Sequence, residues 1–408
     1  MKNAPFIRSF AYLFLSALSF KSYGVGFRIP EQGTAAAARA NAFTATADDP
    51  SAVYYNPAGI LQNDGLRNMF GAYTISLRSK VDLDTSAKNN HFTNTNNNFQ
   101  IAPESYYTYH PAGQPVAFGL GVYVPFGFAI NYPDDTPIRD VAHKGRLGYT
   151  TISPVVAFQV SRTFSIAIGS TINYSTATLE RGVFAPGDQF KFNGAGWTFG
   201  FVAAMMWIPA PEHHFGLTYR SATRLDYSGH TYEDTNTFTS GGVTIPAIHA
   251  HSDADVAIDF PQTITAGYSY RPRPDWNFEF DVDWADWGSL NTATIHTSTG
   301  DLALPFNWRS SFMYEFGITK QFSHNFHTSI GYCYSQKSVP SGSFDPAVPD
   351  ENRHIFSAGF GQGYERFSWN VAYEFIYGPA RTISEGTVSD GTYRFDAHAL
   401  SFSIGYKF

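Results

Sequence analysis

The chain has 408 residues with 34 Asp and Glu against 27 Lys and Arg, and this acidic balance argues against a nucleic-acid partner, whose phosphates require a basic face. A single cysteine, Cys333, excludes a disulfide framework and a thiol metal cluster. Aromatic residues reach 17% and charged residues only 15%, against about 25% in typical soluble domains, which favours a membrane barrel with lipid outside and water inside.

Residues 1–24 have the pattern of an export signal. Lys2 and Arg8 precede a short apolar run at residues 10–20, and small residues precede a cleavage site predicted before Val25. The run is too short to cross a bilayer, so we expect cleavage rather than a helical anchor. Elsewhere the sequence has no run of 18 apolar residues, which excludes a helical membrane protein.

Residues 25–66 are rich in Ala and Gly and do not alternate like a strand. Thr34 is placed to cap a short helix over residues 35–42. Pro50 and Pro57 would each remove a ladder hydrogen bond, so a membrane strand is excluded. A compact piece ahead of a barrel is expected to plug it, and we predict a hatch here.

Residues 67–408 alternate apolar and polar positions, which predicts strands with one face toward lipid. We predict an all-β fold, a 14-stranded antiparallel transmembrane β-barrel plugged by a small N-terminal helical hatch. The strand centres fall near residues 74, 104, 120, 153, 170, 200, 221, 262, 282, 313, 331, 358, 372 and 400. The terminal strand ends in Phe408 and resembles the assembly signal of outer-membrane barrels. Short turns alternate with long loops, which a soluble β-sandwich would not be expected to do so regularly.

One segment, residues 276–284, carries three acids on a single face, namely Glu279, Asp281 and Asp283. Burying them in a dry core would be strongly unfavourable. That face is therefore expected to meet a wet lumen or a polar network.

The third predicted strand, residues 116–124, ends in Pro125, Phe126, Gly127 and Phe128. Proline removes a ladder donor and glycine permits unusual dihedrals, so a break in strand pairing is expected. An ordinary strand end explains the same residues, and the local sequence does not separate the two interpretations.

Asn56, Pro57 and Ala58 also allow two interpretations. Asn-Pro commonly opens a turn. Alternatively, the Asn56 amide bonds backbone groups that a kinked strand leaves without partners, which makes these three residues candidates for gating.

Taken in order along the chain, seven short motifs resemble those of the FadL/TodX family of outer-membrane transporters of hydrophobic compounds. They are GFRIPE at residues 26–31, ADD at 47–49, SAVYYNPA at 51–58, YRS at 219–221, FP at 260–261, WADW at 284–287 and IFSAG at 355–359. The resemblance covers almost all of the mature chain.

The resemblance implies a monomeric barrel in the cell outer membrane, surrounded by lipid and lipopolysaccharide. It implies passive passage of long-chain fatty acids or other small hydrophobic compounds, held in an apolar lumen pocket and released sideways at residues 125–128. It also implies a carboxylate contact for Arg181 and pocket positions for Val25 and Phe27. Paired hydrogen bonds suit a guanidinium and a carboxylate, although an arginine at a barrel rim more often faces water or lipopolysaccharide.

Two stretches depart from the family pattern. A second basic contact before the tenth strand has no counterpart in residues 301–308, which contain no Lys or Arg, although Arg309 is nearby. The loop around Gly187 is also shorter than in the fatty-acid transporters. Uptake of aromatic or aliphatic hydrocarbons is therefore the alternative to fatty-acid uptake.

The sequence shows no convincing catalytic or metal motif. GxSxG, HExxH and a phosphate-binding glycine loop are absent, and the paired histidines are interpreted as solvated loop residues. We predict no enzyme activity, no cofactor and no metal. A general porin, an adhesin and an outer-membrane lipase are the rival classes, which ion conductance or lipid hydrolysis would reveal.

Overall fold

The chain forms a closed barrel of 14 antiparallel strands. A computed structural model describes residues 26–94, 99–183, 187–240, 242–298 and 300–408. The barrel strands β1 to β14 are, in chain order, Gly65–Leu83, Phe99–His110, Val116–Asn131, Lys144–Gln159, Phe164–Arg181, Gln189–Ala210, His213–Arg220 with Thr223–Thr235, Ile248–Phe260 with Thr263–Arg273, Trp276–Ala285, Ser311–Gln321, Phe326–Ser335, Arg353–Gly363, Phe367–Ile383 and Gly391–Lys407. Pairing of β1 with β14, from Arg67↔Lys407 to Leu83↔Gly391, closes the sheet.

Short elements decorate the loops between these strands. Short loop strands occur at His91–Thr93, Phe238–Ser240, Val243–Ile245, Thr292–Thr297 and Gly300–Pro305, and 3-10 turns at Trp287–Ser289, Ser323–Asn325 and Ser341–Ser343. Within the residues that the structure describes, no helix is long and apolar enough to cross a membrane.

Side chains alternate between a lumen face and an outer face, as a period of two requires. On β14, Ser401 and Ser403 are buried, whereas Leu400 and Phe402 are 56% and 51% exposed. Such a continuous apolar outer face is stable against lipid rather than water. Twelve of the 14 predicted strand centres fall within barrel strands, and the two near residues 221 and 262 fall at the short interruptions of β7 and β8.

Residues 26–64 are folded against the lumen face of the barrel. They contain α1 (Thr34–Ala37), α2 (Ala52–Tyr55) and the 3-10 turn Pro57–Gln62. The expected helix over residues 35–42 is wrong in length, because Ala40 and Asn41 take φ values of 49° and 72°, which a right-handed helix cannot hold. Thr34 is the first helical residue rather than the cap, and its hydroxyl lies 2.7 Å from the Ser401 hydroxyl.

The three acids of β9 anchor this N-terminal segment. Asp283 accepts two hydrogen bonds from the Arg28 guanidinium, at 2.6 and 2.8 Å. Further anchoring bonds include those to Asp281 from the backbone N–H groups of Phe43 and Thr44, at 3.0 and 2.8 Å, and to Glu279 from Arg39, at 2.9 Å. The predicted polar network is confirmed. Ion pairs offset the cost of burying Asp283 and Glu279, and backbone hydrogen bonds offset part of it for Asp281.

Candidate functional site

Strand pairing is incomplete between β2 and β3. Their ladder stops at Ser105↔Val122, so residues 99–104 of β2 and residues 123–131 of β3 do not pair with each other. β3 remains paired with β4 but contains a one-residue bulge around Pro125. Because a bulge bends and twists its strand, β3 diverges from β2 after Val122.

The N-terminal segment supplies partners that β2 does not. Two backbone hydrogen bonds of 2.9 Å join it to β3, from Gly127 N–H to Phe27 O and from Ile29 N–H to Pro125 O. Gln32, which is 1% exposed, bonds both backbone groups of Val124. Its Nε2 donates to Val124 O at 2.8 Å, and its Oε1 accepts from Val124 N–H at 3.1 Å. This stretch therefore takes the place of a neighbouring strand.

Asn56 does not contact the third strand, so the expected bond there is wrong. Its Nδ2 donates to Thr44 O at 2.9 Å and to Met205 O of β6 at 3.0 Å, and its Oδ1 accepts from Ala58 N–H at 3.1 Å. Pro57 follows as the first residue of the 3-10 turn. The amide at the bulge belongs to Gln32, whose only sequence signal was its place directly after the GFRIPE motif. Gating by residues 56–58 stays a prediction.

Gly127 does not have the positive φ that would require glycine. The expectation of an unusual dihedral at this residue is therefore wrong. A Cβ at this position would lie 3.2 Å from Ile29 Cδ1, so the glycine makes room for the N-terminal segment beside β3.

A cavity of about 570 Å³ lies beside the unpaired stretch. Residues 26–31, Ala102 of β2 and Phe128 of β3 contribute to its wall. Phe99 and Ile101, which are 57% and 59% exposed on the outer face of β2, line it as well. The cavity thus reaches the outside of the barrel wall between β2 and β3, and its size suits a small hydrophobic ligand.

Phe27 lines this cavity and belongs to a cluster of aromatic side chains. Its side chain is buried, and its ring centroid lies 4.7 Å from Trp287, 5.2 Å from Trp308 and 5.8 Å from Phe260. Edge-to-face and tilted contacts of this kind favour a rigid cluster. The predicted contact Val25 and the predicted signal over residues 1–24 lie outside the described residues.

Arg181, at the end of β5, points to the loop between β11 and β12 rather than into the cavity. Its Nη2 lies 3.4 Å from Asp345 Oδ2, and burial raises the pKa of Asp345. The same loop places Ala347 and Val348 against the cavity. Arg181, the residue predicted to contact a ligand carboxylate, is thus paired with a carboxylate of the chain itself.

Residues 15–408 match the family described as Outer membrane protein transport protein (OMPP1/FadL/TodX). The chain belongs to this family. This confirms the family resemblance drawn from the seven motifs and places the protein in the outer membrane. The proteins that this FadL/TodX-family chain resembles are transporters and channels, so it is not an enzyme. Within the described part of the chain, no group of three or more His, Cys, Asp or Glu side chains is arranged to hold a metal.

Individual relatives are distant in sequence but similar along their whole length. The long-chain fatty acid transport protein of Escherichia coli (strain K12) is 20% identical over 446 residues, covering 99% of this chain and 98% of its own. A Pseudomonas aeruginosa FadL homologue has a TM-score of 0.82 at 17% identity, covering 94% of this chain and all of its own. The Ralstonia pickettii toluene transporter TbuX has a TM-score of 0.74 at 15% identity, covering 92% and 98%. The FadL/TodX barrel fold is therefore shared.

Proposed function

We propose that this protein passively transports long-chain fatty acids or other small hydrophobic molecules across the outer membrane, with neutral hydrocarbons as the alternative cargo. Ligand binds in the 570 Å³ cavity and leaves sideways between β2 and β3. The observation that carries this proposal is that the cavity opens where the two strands do not pair. A sideways exit delivers the ligand to lipid, which keeps its apolar surface out of water.

The N-terminal segment lies in the lumen and is held there by two buried ion pairs, which supports a sideways exit. Arg28–Asp283 and Arg39–Glu279 join the N-terminal segment to β9, at 2.6 and 2.9 Å. Breaking one such pair costs about 3–5 kcal/mol when the other charge stays buried. An apolar ligand offers no compensating bond, so the N-terminal segment, described over residues 26–64, acts as the hatch that closes the axial route.

The identity of the cargo rests on fewer contacts. A relative named for fatty acids and another named for toluene support both classes. The pairing of Arg181 with Asp345 and the absence of basic residues in residues 301–308 weaken the fatty-acid contacts implied by resemblance. Lipid and lipopolysaccharide surround the exposed apolar face, and the closed sheet needs no second copy, which supports a monomer.

Filling the opening tests the lateral exit. Ala129 of β3 lines the cavity beside the unpaired stretch, so Ala129→Trp should lower oleate or toluene uptake by proteoliposomes about tenfold, a barrier of about 1.4 kcal/mol. Ala266→Trp, at an exposed outward position on β8, is the matched control and should leave uptake unchanged.

Binding to purified protein separates the proposal from its rivals. Ala129→Trp should still bind oleate or toluene in detergent, because most of the cavity wall is retained. Normal uptake by a correctly assembled Ala129→Trp barrel would refute the lateral exit. Steady ion conductance of the wild type without hydrophobe binding would instead indicate a general porin.

A further inference from the structure

Arg220 is a half-buried cation without a carboxylate partner among the described residues. It ends the first part of β7, within the YRS motif, and its Nε and Nη2 are buried with no hydrogen-bond partner. Its guanidinium lies 4.2 Å from the centre of the Tyr54 ring. None of the carboxylates in the described residues lies within ion-pair distance of it.

The space in front of this guanidinium is small, and its lining is mixed, with aromatic side chains such as Phe126 and Phe201 beside polar ones. It has a volume of about 40 Å³ and is lined in part by Thr151, Thr171, Asn173 and Thr263. Thr263 Oγ1 is also buried without a hydrogen-bond partner. Such a space holds about three waters, or one carboxylate group.

The positive charge of Arg220 and its N–H groups without acceptors together indicate which kind of group would occupy the space in front of it. A guanidinium stays protonated in proteins, and buried N–H groups without acceptors are costly. Arg146, which also lines the 570 Å³ cavity, is exposed to solvent. Three other arginines near the cavity already have acids. These pairs are Arg28 with Asp283, Arg181 with Asp345 and Arg353 with Asp350.

We propose that Arg220 is the headgroup site for hydrophobic ligands that carry one carboxylate. The carboxylate accepts from Nε and Nη2, and the alkyl chain extends past Phe126 into the cavity. Arg28 lines both spaces. This inference rests on the proposed function, and it assigns fatty acids rather than neutral hydrocarbons as the preferred cargo.

The test compares oleate with oleyl alcohol, which has the same chain without the charge, on purified full-length protein in detergent. Arg220→Met should weaken oleate binding about 10- to 100-fold, as expected for losing hydrogen bonds to a charged group, and should leave oleyl alcohol within about twofold. Arg224→Met, at an exposed position on β7, is the control and should change neither affinity. Bound [1-¹³C]oleate should show a carboxyl titration midpoint that rises in Arg220→Met.

Assembly is checked for each variant by heat-modifiable migration, and Arg220→Lys, which keeps the charge, should retain part of the oleate preference. Equal losses for both ligands, or an unchanged oleate affinity and carboxyl midpoint in Arg220→Met, would overturn the headgroup site and leave water as its occupant. If wild-type protein bound neither ligand, the proposed function itself would fail. The two failures are therefore distinguishable.

Discussion

Gln32→Met removes the amide that completes β3 while keeping a side chain of similar length. Val124 N–H and C=O then lose partners at 3.1 and 2.8 Å in a site where Gln32 is 1% exposed. An unmet buried group costs about 1–3 kcal/mol, and the neighbouring cavity admits some water, so we take the lower end for each. The local cost is about 2 kcal/mol, which corresponds to about 30-fold easier opening of β3.

Hydrogen exchange at the Val124 amide measures this opening in detergent or nanodiscs. We expect about 30-fold faster exchange there, with the β1–β14 closure unchanged. Gln62→Met is the matched control, since Gln62 Nε2 donates to Thr46 O at 2.8 Å and Ala47 O at 3.0 Å within the N-terminal segment. Unchanged exchange at Val124, or an equal effect of the control, would refute the assignment of Gln32 as the strand partner.

Two further predictions concern charge. Arg28→Met leaves Asp283 buried without its cation and should lower the free energy of unfolding in urea by about 3–5 kcal/mol. The double variant Arg28→Met with Asp283→Leu should recover most of this loss. No recovery in the double variant would contradict the pairing argument. In the loop after β3, the hydrogen bond from Arg139 lowers the pKa of Asp134. The stabilisation of that loop by ionised Asp134 should be full above about pH 4 and should be lost as the pH falls through the lowered pKa. Hydrogen exchange of the loop amides as a function of pH measures this loss. Asp134→Asn should lack this pH dependence. A pH profile of the variant identical to that of the wild type would disprove the role of Asp134.

The barrel was predictable because its signal is local. Each strand must place one face in lipid, so apolar and polar residues alternate along every strand. Each of the 14 strands has one predicted centre, 12 of them inside the strand and two at the interruptions of β7 and β8. The acids of residues 276–284 likewise required polar surroundings, wherever the rest of the chain lay.

The candidate site was only partly predictable. Pro125 marked a weak point in strand pairing, but an isolated proline does not show which edge of the strand opens. Asn56 and Arg181 had the right chemistry for their expected partners, yet the fold gives them Met205 and Asp345 instead. Gln32 carried no distinctive local pattern.

The sequence by itself determined the period-two strands, their number and the polar lumen face, because these follow from contacts with solvent and lipid that each strand makes alone. Only the tertiary structure decided how residues 27–32 lie beside β3, which acids pair with which arginines, and that Arg220 has none. Those contacts join residues far apart in the chain, so their partners are set by how the N-terminal segment packs within the closed barrel.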